Sequence, residues 1–77
     1  MYYYVEVNYP GGLYPQADER LRKIAGSDEN ASGFGFTSGE RDICWRFGNR
    51  RDRAIALFTR FTKIHWLTGV LLRKMEE

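Results

Sequence analysis

This 77-residue chain has only one cysteine and one histidine. Without a second cysteine Cys44 cannot form an internal disulfide, and with His65 as the single histidine there is no ligand set of the zinc type. A Cys-His nucleophilic pair would need Cys44 and His65 to meet, yet they fall on an expected third strand and at the start of an expected fourth. Cys44 therefore reads as a small, half-buried strand residue. Asp28 and Glu29 stand side by side in a polar loop, with nothing apolar around them to raise a carboxyl pKa for acid catalysis. No glycine-rich loop ends in Lys-Ser or Lys-Thr, so nucleotide hydrolysis has no motif to rest on. Long apolar runs are missing too. No spanning helix is expected, and Met1-Tyr2-Tyr3-Tyr4-Val5-Glu6 lacks the basic and apolar stretches of a secretory leader, so the chain is expected in the cytoplasm. No catalytic set, metal or cofactor is expected.

What the chain does have is enough apolar material to fold. Hydrophobic residues make up 43% and aromatics 16%, more than disordered chains carry, while the length allows one core and not two. A single domain over residues 1–77 is expected. The net charge of +2 hides an asymmetry: residues 1–40 carry three basic and six acidic side chains, residues 41–63 carry seven and two, and the rest balance.

The period-two alternation of Tyr3, Val5 and Val7 with Tyr4, Glu6 and Asn8 predicts a first strand ending at Asn8-Tyr9-Pro10-Gly11-Gly12. Pro15 suits the first turn of a helix in which Ala17, Leu21, Ile24 and Ala25 recur at helical spacing, with Asp18, Glu19, Arg20, Arg22 and Lys23 on the other face and Gly26 as C-terminal cap. Phe34 and Phe36, then Ile43, Trp45 and Phe47, alternate on either side of Thr37-Ser38-Gly39-Glu40, which predicts a hairpin. Asn49, with Asp52 three residues on, is expected to cap a second helix whose buried stripe is Ala54, Leu57, Phe58 and Phe61. Trp66–Leu72 reads as a last strand, although His65-Trp66-Leu67 could instead end the helix.

The order βαββαβ is the ferredoxin-like arrangement of α+β proteins. Right-handed crossovers give a four-stranded antiparallel sheet of order 4-1-3-2, with two helices on one face and the other face open. The expected core is Tyr3, Val5, Val7, Leu21, Ile24, Phe34, Phe36, Ile43, Trp45, Phe47, Leu57, Phe58 and Phe61. Strand parity sends Tyr2, Tyr4, Glu6, Asp42, Cys44 and Arg46 to the open face, and leaves the last strand ambiguous.

Two resemblances follow. Gly33-Phe34-Gly35-Phe36 within this order resembles the RNA-recognition motif, whose third-strand consensus contains the same tetrapeptide. Here it lies on the second strand, is introduced by Ala31-Ser32 rather than a base, and is followed on the third strand by Cys44 and Arg46 where aromatics are expected. That resemblance implies single-strand RNA or DNA binding, with Tyr2 and Tyr4 stacking on bases and Arg46 meeting phosphates. The hairpin with Glu40-Arg41-Asp42-Ile43-Cys44-Trp45-Arg46-Phe47 and its arginine-containing helix is similar to small phage and mobile-element proteins, among them anti-CRISPR inhibitors. It implies a non-enzymatic, protein-binding regulator that blocks a nuclease effector complex by occupying its surface.

The basic cluster Arg41, Arg46, Arg50, Arg51, Arg53, Arg60 and Lys63 fits an acidic protein partner, phosphates or plain solvation. A pI of 8.9 is short of the strongly basic footprint of a dedicated nucleic-acid binder. The residues singled out for partner binding are Tyr2, Tyr4, Arg46, Arg50, Arg51 and Arg53. A homodimer through the open face or an edge strand is a further expectation.

Overall fold

The computed structural model describes residues 2–10, 15–27, 30–35 and 39–76, with the backbone alone at 15 and 31–35. Its elements are β1 (Tyr2–Pro10), α1 (Pro15–Ala25), β2 (Ala31–Gly35), β3 (Glu40–Arg46), α2 (Arg51–Phe61) and β4 (Gly69–Met75). The strands form one sheet in the order β2-β3-β1-β4, and every pairing is antiparallel.

β1 holds the centre because its alternation supplies an inward row that a sheet interior needs. Val5, Val7 and Tyr9 are buried, and across β3 so are Ile43 and Trp45. Against them pack Leu21 of α1 and Ala54, Leu57 and Phe61 of α2, forming one cluster. Both helices thus cover the same face. Trp45 lies against Phe61 with ring centroids 5.2 Å apart, and its indole N–H donates to the Ser27 carbonyl at 3.1 Å. That bond satisfies the one polar atom of an otherwise apolar side chain.

Local chemistry accounts for the element ends. Gly26 adopts a φ of +77° and its N–H bonds the Arg22 carbonyl at 2.8 Å, the left-handed cap for which glycine is the cheapest residue. Asn30 prolongs the β2–β3 ladder: its backbone N–H meets the Cys44 carbonyl at 2.9 Å, and its side-chain oxygen accepts from the Arg46 N–H at 2.7 Å.

Several expectations need correction. β1 continues through Tyr9 to Pro10, because Pro10 sits at the strand end where a missing donor costs little, and Tyr9 joins the core. Asn49 does not cap α2: the cap position is Arg50, with no side-chain bond. A backbone turn does that work, as Arg50 N–H bonds the Phe47 carbonyl and Arg51 N–H the Asn49 carbonyl, both at 3.0 Å. The last strand begins at Gly69 rather than Trp66, since residues 62–66 continue from α2 as tight turns, among them Ile64 N–H to the Phe61 carbonyl at 3.0 Å. Asp18, expected on the solvent side of α1, is buried. Tyr3, Ile24, Phe47 and Phe58 are half-buried against the core rather than within it. Phe36 and the side chain of Phe34 lie outside the described residues.

Candidate functional site

The face of the sheet opposite the helices has a readable register. One rung crosses the strands as Arg46, Tyr4 and Arg73, the next inward as Cys44, Glu6 and Leu71, and a third as Asp42, Asn8 and Gly69. Tyr2 faces Met75 at the outer end. The parity left open for β4 is settled by burial: Val70 and Leu72 pack against the core, so Leu71, Arg73 and Met75 take the other side. Leu71 at 38% and Met75 at 41% relative exposure are the exposed large hydrophobics among the described residues.

Tyr2, Tyr4 and Arg46, all expected as site residues, are brought together. The Arg46 guanidinium lies 5.1 Å from the centre of the Tyr2 ring, within cation–π range. The two tyrosine rings are 6.1 Å apart and tilted by 38°. Arg46 is exposed, and no carboxylate pairs with it among the described residues. Its charge is thus held in place by an aromatic ring rather than neutralised by an acid, and Arg73 stands on the same rung. The result is a small surface of two aromatic rings, two cations and the Met75 side chain.

Arg50, Arg51 and Arg53 sit elsewhere. All are exposed around a shallow hollow that also takes in Asn49 and Asp52. The chain between Arg46 and α2 remains tied to the sheet, with Tyr3 N–H bonded to the Gly48 carbonyl at 2.8 Å and Phe47 N–H to the Tyr3 carbonyl at 2.9 Å. The start of α2 therefore lies at the same end of the molecule as Tyr2 and Arg46, but in the helix layer. The six residues mark one end of the domain on two faces.

Cys44 is half-buried in the middle of the open face, with Glu6 on the neighbouring strand. Burial, and then the Glu6 charge, push its thiol pKa up, against a smaller opposing pull from Arg46. Such a thiol stays protonated at neutral pH and is a poor nucleophile. His65 is exposed and borders a groove with Arg20 and Lys23 of α1, so it is in the helix layer, away from Cys44. Among the described residues no group of three or more His, Cys, Asp or Glu side chains could hold a metal ion.

The sequence reading missed a second tyrosine–arginine cluster on the helix side. Tyr9 OH donates to Asp18 Oδ1 at 2.5 Å. Arg41 Nε donates to Asp18 Oδ1 at 3.1 Å and Oδ2 at 3.0 Å, and its terminal nitrogen reaches Oδ2 at 2.8 Å. Asp18 and Arg41 are only 6% and 8% exposed, and the Asp18 hydrogen bonds hold the Arg41 guanidinium above its usual pKa. Arg41 therefore leaves the solvated basic cluster. Two signals could have found it: Arg41 has the parity of Ile43 and Trp45, and Asp18 precedes Leu21 by three, on the same helix face.

Compared with models of known protein families, with curated proteins and with solved structures, the chain matches none.

Proposed function

We propose that this chain is a non-enzymatic protein-binding module of ferredoxin-like topology that acts by laying the outer end of its open sheet face against a partner. The observation that carries the reading is the Arg46–Tyr2 stack with Tyr4 and Arg73 beside it. Tyrosine and arginine are the residue types that dominate binding hot spots, and here they are pre-ordered by their own contact, which lowers the entropy lost on association. Leu71 and Met75 add exposed apolar area on the same face.

The inner rungs favour protein over nucleic acid. A phosphate backbone crossing the sheet from Arg46 would meet Glu6 and then Asp42, whose carboxylates repel it. A protein surface with a basic group opposite these acids and an acidic group opposite Arg46 and Arg73 would be complementary. Arg50, Arg51 and Arg53 extend the contact around the end of the domain toward an acidic neighbour. The resemblance to small phage inhibitors supports a nucleic-acid-processing complex, such as a nuclease effector, as the class of partner, blocked by occupation of its surface.

A second reading rests on the Arg46–Tyr4–Arg73 rung together with Tyr2: two stacking rings flanked by cations are also what a short single strand of RNA or DNA needs. The test is affinity capture on the full chain with and without nuclease treatment, in parallel with a Tyr2→Ala, Arg46→Ala variant. A protein retained after nuclease treatment by the native chain, and lost from the variant, supports the proposal. Recovery of nucleic acid with no retained protein overturns it in favour of the second reading, as does self-association alone in favour of a homodimer.

A further inference from the structure

A separate groove lies in the helix layer, between α1 and the turns that join α2 to β4. Its walls are Arg20 and Lys23 on one side and Lys63 and His65 on the other, and its apolar floor is Ile24, Ile64 and Trp66. The cavity measures about 460 Å³, and Arg20 and Trp66 also wall an adjoining hollow of about 480 Å³. Both are in the size range of small-molecule sites. No carboxylate lines either among the described residues.

Trp66 is set in place by the core rather than by the groove. It meets the buried Tyr9 ring edge-on, with centroids 5.7 Å apart at 79°. The turns carrying it are held by backbone bonds from Lys63 N–H to the Arg60 carbonyl and from Leu67 N–H to the Ile64 carbonyl, at 3.3 and 3.4 Å. Trp66 is only half-buried. A fixed, half-exposed indole beside three permanent cations is an unusual concentration in a chain whose net charge is only +2. An inorganic anion would use the cations and leave the apolar floor wet, whereas an alkyl chain would use the floor and leave the cations unpaired. A flat ring joined to a phosphate uses both, with the ring against the indole and the phosphate among Arg20, Lys23 and Lys63.

We infer that the groove is a binding site for a nucleoside phosphate, independent of the open sheet face. The test is an NMR titration of the full ¹⁵N-labelled chain with adenosine and guanosine monophosphates at low ionic strength, read at the two tryptophan indole N–H resonances. The indole of the buried Trp45, bonded to the Ser27 carbonyl, is an internal reference for the fold. Saturable movement of the Trp66 resonance with Trp45 unmoved is expected, and a Lys23→Gln, Lys63→Gln variant, folded by the same Trp45 criterion, should raise Kd about tenfold or more. The inference is overturned by shifts that rise linearly without saturating, by a folded variant that binds as tightly as the native chain, or by inorganic phosphate competing with the same Kd as the nucleotide.

Discussion

The two tyrosine–arginine clusters use the same pair of strands and nearly the same composition, yet do opposite things. In each, a tyrosine of β1 stands directly across from an arginine of β3: Tyr9 opposite Arg41 on the helix face, Tyr4 opposite Arg46 on the open face. The first is covered by α1, which supplies Asp18 to neutralise the guanidinium and accept a hydrogen bond from the Tyr9 hydroxyl. Among the described residues the second has no covering element and no paired acid, and its guanidinium rests on Tyr2. A helix therefore decides whether the pair is spent on the fold or remains available to a partner. The buried pair helps fix where α1 docks, since it is a polar tie between that helix and the sheet.

The comparison breaks most decisively at Asp18. Asp18→Ala removes the carboxylate that faces the buried Arg41 guanidinium, and should cost about 3–5 kcal/mol of unfolding free energy in urea titration. Adding Arg41→Met should restore a large part of that loss, giving a strong coupling energy in the double-mutant cycle. At the other cluster Arg46→Ala should cost less than about 1 kcal/mol of stability, because an exposed cation on an aromatic ring contributes little. The same change should weaken the partner complex by about 2 kcal/mol, roughly thirtyfold in Kd. Equal stability losses at Asp18 and Arg46 would erase the distinction drawn between the two faces.

The smallest effect concerns Cys44, between the clusters. Its thiol pKa is raised above the ordinary 9.0, so the folded state holds the proton more tightly than the unfolded one. Its contribution is complete below pH 9.0 and is lost as pH rises from there through the folded-state value. Stability measured from pH 8 upward should thus fall slightly more steeply for the native chain than for Cys44→Ser, and iodoacetamide should label the folded thiol more slowly than the same thiol in urea. Identical pH slopes for the two chains would remove the assigned burial effect.

Period-two alternation made β1 and β3 legible, and with them most of the inward row, because a strand half-covered by helices sorts its side chains by parity alone. Pro15 and Gly26 marked α1 for the same local reason, since each suits one backbone conformation. Tyr2, Tyr4 and Arg46 could be placed together on one face by parity, without any knowledge of their contacts. Parity failed where polarity was trusted over position. Asp18 and Arg41 look like surface residues by type, and only the meeting of α1 with β3, a tertiary event, turns them inward. Local pattern left Trp66 open between the start of the last strand and the end of the helix, and the hydrogen-bonded turns that run on from α2 through that position are closer to the second. Arg73 was missed because the register of β4 is set by β1, which no local pattern in β4 reveals.

The sheet order has a consequence for how the protein is made. β1 emerges from the ribosome well before both of its neighbours in the sheet, β3 and β4. During translation this strand has two unpaired edges and an uncovered apolar row, the condition in which nascent chains associate wrongly. Its alternate residues Glu6 and Asn8, polar and on the face that stays open, keep the waiting segment from being apolar on both sides. The central strand of the finished sheet is thus also the segment whose sequence must be tolerable alone.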